Sequence, residues 1–125
     1  MKKVSNFWVL AIVLALCLGF SSCKPDISKL IIGKWKVVES SESLNSCEFQ
    51  SWMEFKSERV IEFDACDNST DTGVWTVGGT EQNVVSMVFD DDAFVWKVES
   101  ITRSEMVVVE SHLGTNTTLR FKRIQ

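Results

Sequence analysis

From residue 34 onward, apolar and polar positions alternate with a period of two. Val, Ile, Phe and Trp fill the apolar positions, and Gly, Asp, Ser and Asn gather between the runs. Such alternation sends successive side chains to opposite faces of a sheet, so the runs predict strands. Eight are expected, over Lys34–Ser40, Phe49–Lys56, Val60–Ala65, Gly73–Val77, Asn83–Asp90, Phe94–Ser100, Glu105–Glu110 and Thr117–Ile124. Ser57-Glu58-Arg59, Gly78-Gly79, Asp90-Asp91-Asp92 and His112-Leu113-Gly114 supply the turns between them. Ahead of the strands, Ile27, Leu30 and Ile31 keep the i, i+3, i+4 spacing of a short helix. Asp26 is placed to cap its first amides, and Gly33 to end it.

Successive strands joined by short links predict a meander. In a chain this small, closing the sheet into a barrel removes its exposed edges. The expected fold is all-β: an eight-stranded antiparallel up-and-down barrel preceded by a short N-terminal helix. A two-sheet sandwich would need longer crossings than these links provide.

The second and third strands specify a register. With Ser57-Glu58-Arg59 as a three-residue loop, Phe55 meets Ile61, Met53 meets Phe63 and Ser51 meets Ala65. Phe49, Met53, Phe55, Ile61 and Phe63 then share one face, and Trp52, Glu54, Glu62 and Asp64 share the other. A two-residue loop mixes the two sets, so facial segregation favours the longer loop. That loop asks Arg59 for a left-handed conformation, which L residues adopt reluctantly. It also brings Cys66 near Cys47.

The chain begins differently. After Lys2 and Lys3, Phe7 to Phe20 reads FWVLAIVLALCLGF, without a charge. This run is shorter than the roughly 20 residues a membrane-spanning helix needs and has the layout of a secretory signal peptide. Phe20-Ser21-Ser22-Cys23 resembles the lipobox of bacterial lipoproteins. That resemblance implies cleavage before Cys23, lipidation of its thiol and attachment to a membrane through acyl chains. Two or more chains hold a protein stably, at about 0.8 kcal/mol for each buried methylene. The expected organisation is a leader over 1–22, a lipidated Cys23 and tether over 23–25, and a barrel domain over 26–125. The same resemblance implies, from Lys24 rather than Asp after the cysteine, onward transport to the outer membrane, with the periplasmic side and the cell surface both open.

Removing the leader changes the charge. The whole chain carries 13 basic and 17 acidic residues, a net charge of −4. Losing Lys2 and Lys3 makes the remainder more acidic still, which gives no electrostatic basis for nucleic-acid binding. Cysteine use is also simplified. Cys17 leaves with the signal and Cys23 takes lipid, so Cys47 and Cys66 remain as a pair for a structural disulfide in an oxidising compartment.

Leu30-Ile31-Ile32-Gly33-Lys34-Trp35 carries a Gly-x-Trp at the junction of helix and first strand. This resembles the lipocalin signature, and the chain after the leader resembles the small lipocalin-like domains of bacterial lipoproteins. The resemblance implies that Gly33 and Trp35 lie at the closed end of the barrel, against Arg120 or Arg123 of the last strand, with Arg120 the assigned partner. Gly73-Val74-Trp75 resembles a recurrent feature of the same domains. The resemblance also implies a non-enzymatic binding module for a small hydrophobic or amphipathic ligand, and the hairpin register above makes Phe49, Met53, Phe55 and Phe63, on one face, the candidate lining residues. The alternative is a filled barrel that acts on another envelope protein through its loops or outer face. An eight-stranded barrel has an interior that side chains just fill, or that holds one small ligand. Many of Trp35, Trp75, Trp96, Phe89, Phe94 and Phe121 are expected in the core.

His112 is the single histidine, with no nucleophile and orienting group at a suggestive spacing, so no catalytic residue is assigned. Asp90-Asp91-Asp92 reads as a solvated turn, and Asp64, Asp67, Asn68 and Asp71 lack the pattern of a calcium loop. No metal and no cofactor is expected. Glu54 and Glu62 face each other in the register above, as an outer-face pair.

Overall fold

The computed structural model describes residues 25–125, so the leader expected over 1–22 and the lipidation expected at Cys23 lie outside the described residues. A short helix, α1 (Ile27–Leu30), leads into β1 (Gly33–Ser40). A 3-10 turn (Glu48–Gln50) follows, then β2 (Trp52–Phe55), β3 (Arg59–Asp64), β4 (Ser69–Gly78), β5 (Val84–Val88), β6 (Ala93–Ile101), β7 (Glu105–His112) and β8 (Thr115–Arg123). Each strand is antiparallel to the next, and β1 also pairs with β8. Lys36 faces Trp52 on one side and Lys122 on the other. The sheet is therefore a closed eight-stranded up-and-down barrel, as the alternation predicts, and it fits a lipocalin-like fold. Bulges between Val37 and Glu39 and between Val98 and Ser100 bend the wall where it curves.

Inward side chains make the core. Trp35, Phe55, Val60, Trp75, Val85, Met87, Trp96, Val98, Met106, Val108 and Phe121 are buried, and Ile27 and Ile31 close one end from the α1 side. Each large apolar side chain removed from water in this way contributes about 1.5–3 kcal/mol. The closed end also gathers the β2–β3, β4–β5 and β6–β7 links. The β3–β4, β5–β6 and β7–β8 links and the long β1–β2 connection surround the other end.

The helix is shorter than its sequence spacing suggests. Asp26 caps it through its backbone carbonyl, which accepts from the amides of Lys29 and Leu30 at 3.0 Å each. Its carboxylate accepts from Ser28 Oγ at 2.6 Å instead. Gly33 opens β1 rather than ending α1. Its φ is +139°, and a Cβ there would lie 2.0 Å from an Arg123 guanidinium nitrogen. Close approach of a side chain, added to the backbone conformation, is what requires glycine at this position.

The β2–β3 register differs from the expected one by a single residue. Trp52 pairs with Phe63, Met53 with Glu62, Glu54 with Ile61 and Phe55 with Val60. Ser57 and Glu58 alone form the loop, closed by Lys56 N donating to Arg59 O at 2.8 Å. The described residues with positive φ do not include any of this loop, so the left-handed Arg59 of the longer version is avoided. Val60 and Glu62 consequently turn inward, and Ile61 and Phe63 turn outward. Phe63 is covered on the outside by Trp52, at a ring separation of 5.5 Å, and Lys34 lies 4.1 Å over the Trp52 ring. Glu54 and Glu62 stand on opposite faces and do not pair.

Candidate functional site

At the closed end, Arg123 rather than Arg120 meets Trp35. Phe121 and Arg123 share the inward phase of β8, and Arg120 is out of phase with them. The Arg123 guanidinium lies 4.4 Å over the Trp35 ring and donates to the carbonyls of Ile32, Leu30 and Arg103. Trp35 is fully buried, and its Nε1 donates to Ile31 O at 2.8 Å. Gly33, Trp35 and Arg123 thus bind α1, β1, β8 and the β6–β7 link together. Arg120 sits on the outer face, 3.1 Å from Glu39 and 3.7 Å from Glu105. The second Gly-x-Trp has an equally direct basis. A Cβ on Gly73 would lie 2.3 Å from Val88 O, and Trp75 Nε1 donates to Lys56 O at 2.7 Å.

The opposite end is hollow. A cavity of about 290 Å³ opens to solvent there, walled by inward residues of β1, β2, β3, β6, β7 and β8. Trp96 and Phe121 contribute aromatic surface, with ring centroids 4.9 Å apart. Val37, Met53 and Leu119 add aliphatic wall, and Leu44 comes from the β1–β2 connection. The size sits at the low end of small-molecule sites, roughly 300–1,000 Å³. Larger depressions are lined by the outer face, the β2–β3 hairpin or the closed-end loops beside α1, and none of them is enclosed by the inner faces of so many strands.

Carboxylates face this apolar wall. Glu42, Glu48, Glu62, Asp64 and Glu110 line the cavity, and no Lys, Arg or His does among the described residues. Three of them have internal partners. Glu48 accepts from Asn45 N at 2.7 Å, Asp64 from Cys66 N at 2.8 Å, and Glu110 from Trp96 Nε1 at 2.9 Å. Trp96 and Glu110 are cross-strand neighbours, so the sheet itself sets that contact. Glu62 has no hydrogen-bond or ion-pair partner among the described residues. Burial raises its pKa above the ordinary glutamate value, and the negative charges of Asp64, Asp71, Glu110 and Asp92 raise it further.

The rim is cross-linked. Cys47 and Cys66 form a disulfide with their Cα atoms 5.1 Å apart, joining the β1–β2 connection to the β3–β4 link. Ser51 Oγ also accepts from Ala65 N at 2.9 Å. These ties hold residues 47–50 in a turn, which is why Phe49 does not extend β2. Across the mouth, His112 stacks on Phe94 at 4.7 Å, and its Nε2 is 3.7 Å from Asp92. Among the described residues, no group of three or more His, Cys, Asp or Glu side chains is arranged to hold a metal ion.

The four candidate lining residues separate under this geometry. Met53 lines the cavity. Phe55 points inward but lies below it, buried against Trp75 and Trp96 at ring separations of 5.4 and 5.8 Å. Phe63 is on the outer face, and Phe49 borders an external groove with Val38 and Arg120. The alternation of the sequence does not mark Glu62, Trp96, Glu110, Leu119 and Phe121 as lining residues, yet all five line the cavity. The one-residue register change explains Glu62. On β7, apolar residues stand on both faces beside Glu110, so alternation there gives no phase.

Neither known protein families nor curated proteins yield a match to this chain.

Proposed function

We propose that this protein is a lipid-anchored envelope lipoprotein whose lipocalin-like barrel is a non-enzymatic binding module for a small amphipathic molecule. The cavity carries the binding reading. It has an apolar wall for the body of a guest and a few convergent polar groups, the usual makeup of a small-molecule site. The closed half of the same barrel is filled by its own aromatic residues, which limits the guest to the mouth. About ten waters at liquid density occupy such a volume, so the guest has roughly that many heavy atoms.

Anchoring is supported by Phe20-Ser21-Ser22-Cys23, which resembles a lipobox. Pro25 borders the same closed-end depression as Ser57, Thr80 and Gln82. Two further residues reach at most about 7 Å from it. A lipid on Cys23 therefore holds the closed end near the membrane and turns the mouth toward the aqueous side.

Native mass spectrometry of the purified full chain tests the binding reading. A retained small-molecule adduct, lost when Leu119→Trp fills the cavity, is expected. Persistent absence of an adduct, with no binding of added amphiphiles, contradicts it. Fractionation of a Cys23→Ser variant tests the anchor: release into the soluble fraction is expected, and unchanged membrane association contradicts it. An exposed outer patch, formed by Val74, Val88 and Val95, favours the second reading of a protein-interaction module.

A further inference from the structure

We propose that the cavity selects a cationic amphiphile, a compact aromatic or branched aliphatic body bearing one protonated amine. The inference rests on the binding reading above and names its ligand class. Its basis is the coincidence of a hollow, an aromatic wall and an unmatched charge on the same inner surface.

Trp96 and Phe121 line the cavity as neighbouring aromatic side chains, suited to packing against an apolar body. Glu62 enters from β3 and Glu110 from β7, so carboxylates converge on the hollow from separate walls. The Glu110 carboxylate is oriented by Trp96 Nε1, while Glu62 has no cationic or hydrogen-bonding partner among the described residues. A β-barrel ordinarily fills its inner positions with apolar side chains. Here the register spends an inner position on Glu62 while Ile61 and Phe63 go outside, a local violation of the pattern that the fold itself does not require.

Charge then decides among guests that fit equally well. A carboxylate entering this space meets Glu62, Glu110 and Asp64 without a compensating base. A neutral guest leaves their mutual repulsion as it was. A protonated amine relieves it and gains charge-assisted hydrogen bonds, and does so in a partly desolvated site where salt screens weakly. Binding also draws Glu62 toward its ionised form, so a proton is released to the medium as the amine enters at a pH where Glu62 is partly protonated.

Calorimetric titration of the purified full chain at physiological salt tests this with three probes of one shape: 4-phenylbutylamine, 4-phenylbutan-1-ol and 4-phenylbutyrate. The amine is expected to bind about tenfold or more tightly than the alcohol, and the carboxylate least. Glu62→Gln and Glu110→Gln should each reduce the amine's advantage over the alcohol. Glu54→Gln, an equal charge change on the outer face of the same hairpin, should leave it intact. Equal affinity of amine and alcohol overturns the charge assignment and leaves the binding reading standing, as does preference for the carboxylate. Failure of all three probes to bind overturns both. Loss of the amine's advantage in Glu54→Gln, to the same degree as in Glu62→Gln, also overturns the assignment, because net charge alone would then explain it.

Discussion

Glu62 stands opposite Met53 across the β2–β3 hairpin, on the inner face of the barrel and two residues from the fully buried Val60. An ionisable group thus occupies a position that simple patterning reserves for an apolar side chain. Because its pKa is raised in the folded state, the native protein keeps this proton to a higher pH than the unfolded chain does. Stability therefore falls as pH climbs from the ordinary glutamate range through the raised value. Glu62→Gln removes that loss. Thermal melts should show the variant more stable than the parent near pH 8, with the difference closing near about pH 4, where both states of the parent are largely protonated. A variant less stable at pH 8 would contradict the inward, unpartnered placement.

Glu110 should behave in the opposite sense. It accepts the indole hydrogen of Trp96, a residue only 2% exposed. Glu110→Ala leaves that donor without its partner and should lower unfolding free energy by about 1–3 kcal/mol in denaturant titrations. Glu110→Gln keeps an acceptor and should lose less. Equal losses for the two variants would show that the hydrogen bond is not what matters there.

Arg123 and Gly33 form one structural unit at the closed end. Arg123→Ala removes the contact over Trp35 and the donors to the carbonyls of Ile32 and Leu30. A loss of about 2–4 kcal/mol is expected from the cation–π contact together with unsatisfied carbonyls. Gly33→Ala should destabilise through the same neighbours, since the new methyl meets the guanidinium. The double variant should fall short of the summed losses, a coupling that equilibrium unfolding of the four proteins measures. Arg120→Ala, which breaks only exposed ion pairs, should change stability by less than about 1 kcal/mol.

The disulfide holds the mouth rather than the core. Reduction, or paired Cys47→Ala and Cys66→Ala substitution, should lower stability by about 3 kcal/mol for a loop of this length. It should also weaken ligand binding, because the bridge positions the segments bearing Glu48 and Asp64. Unfolding and titration of the reduced protein check both effects. Unchanged affinity would detach the rim from the site.

Much of this architecture is written in the alternation of the chain. Eight strands, their order and the Cys47–Cys66 link follow from period-two runs, turn residues and cysteine count. The β2–β3 register does not, because segregation of apolar residues and avoidance of a left-handed Arg59 point to different loops. The shorter loop prevails: Trp52 and Lys34 shelter Phe63 outside, while the hollow accommodates Glu62 inside. The arginine over Trp35 depends on the phase of β8, which its terminal Arg120-Phe121-Lys122-Arg123 leaves open until β8 is paired with β1. The site was hardest to read because it departs from the alternation that reveals the barrel.

A crystal structure of the full chain saturated with 4-phenylbutylamine tests the central claim most directly. The account predicts the phenyl ring at the mouth against Trp96 and Phe121, with the ammonium within about 4 Å of the Glu62 or Glu110 carboxylate. A mouth closed by its own side chains, with Glu62 turned to the outside, would contradict it.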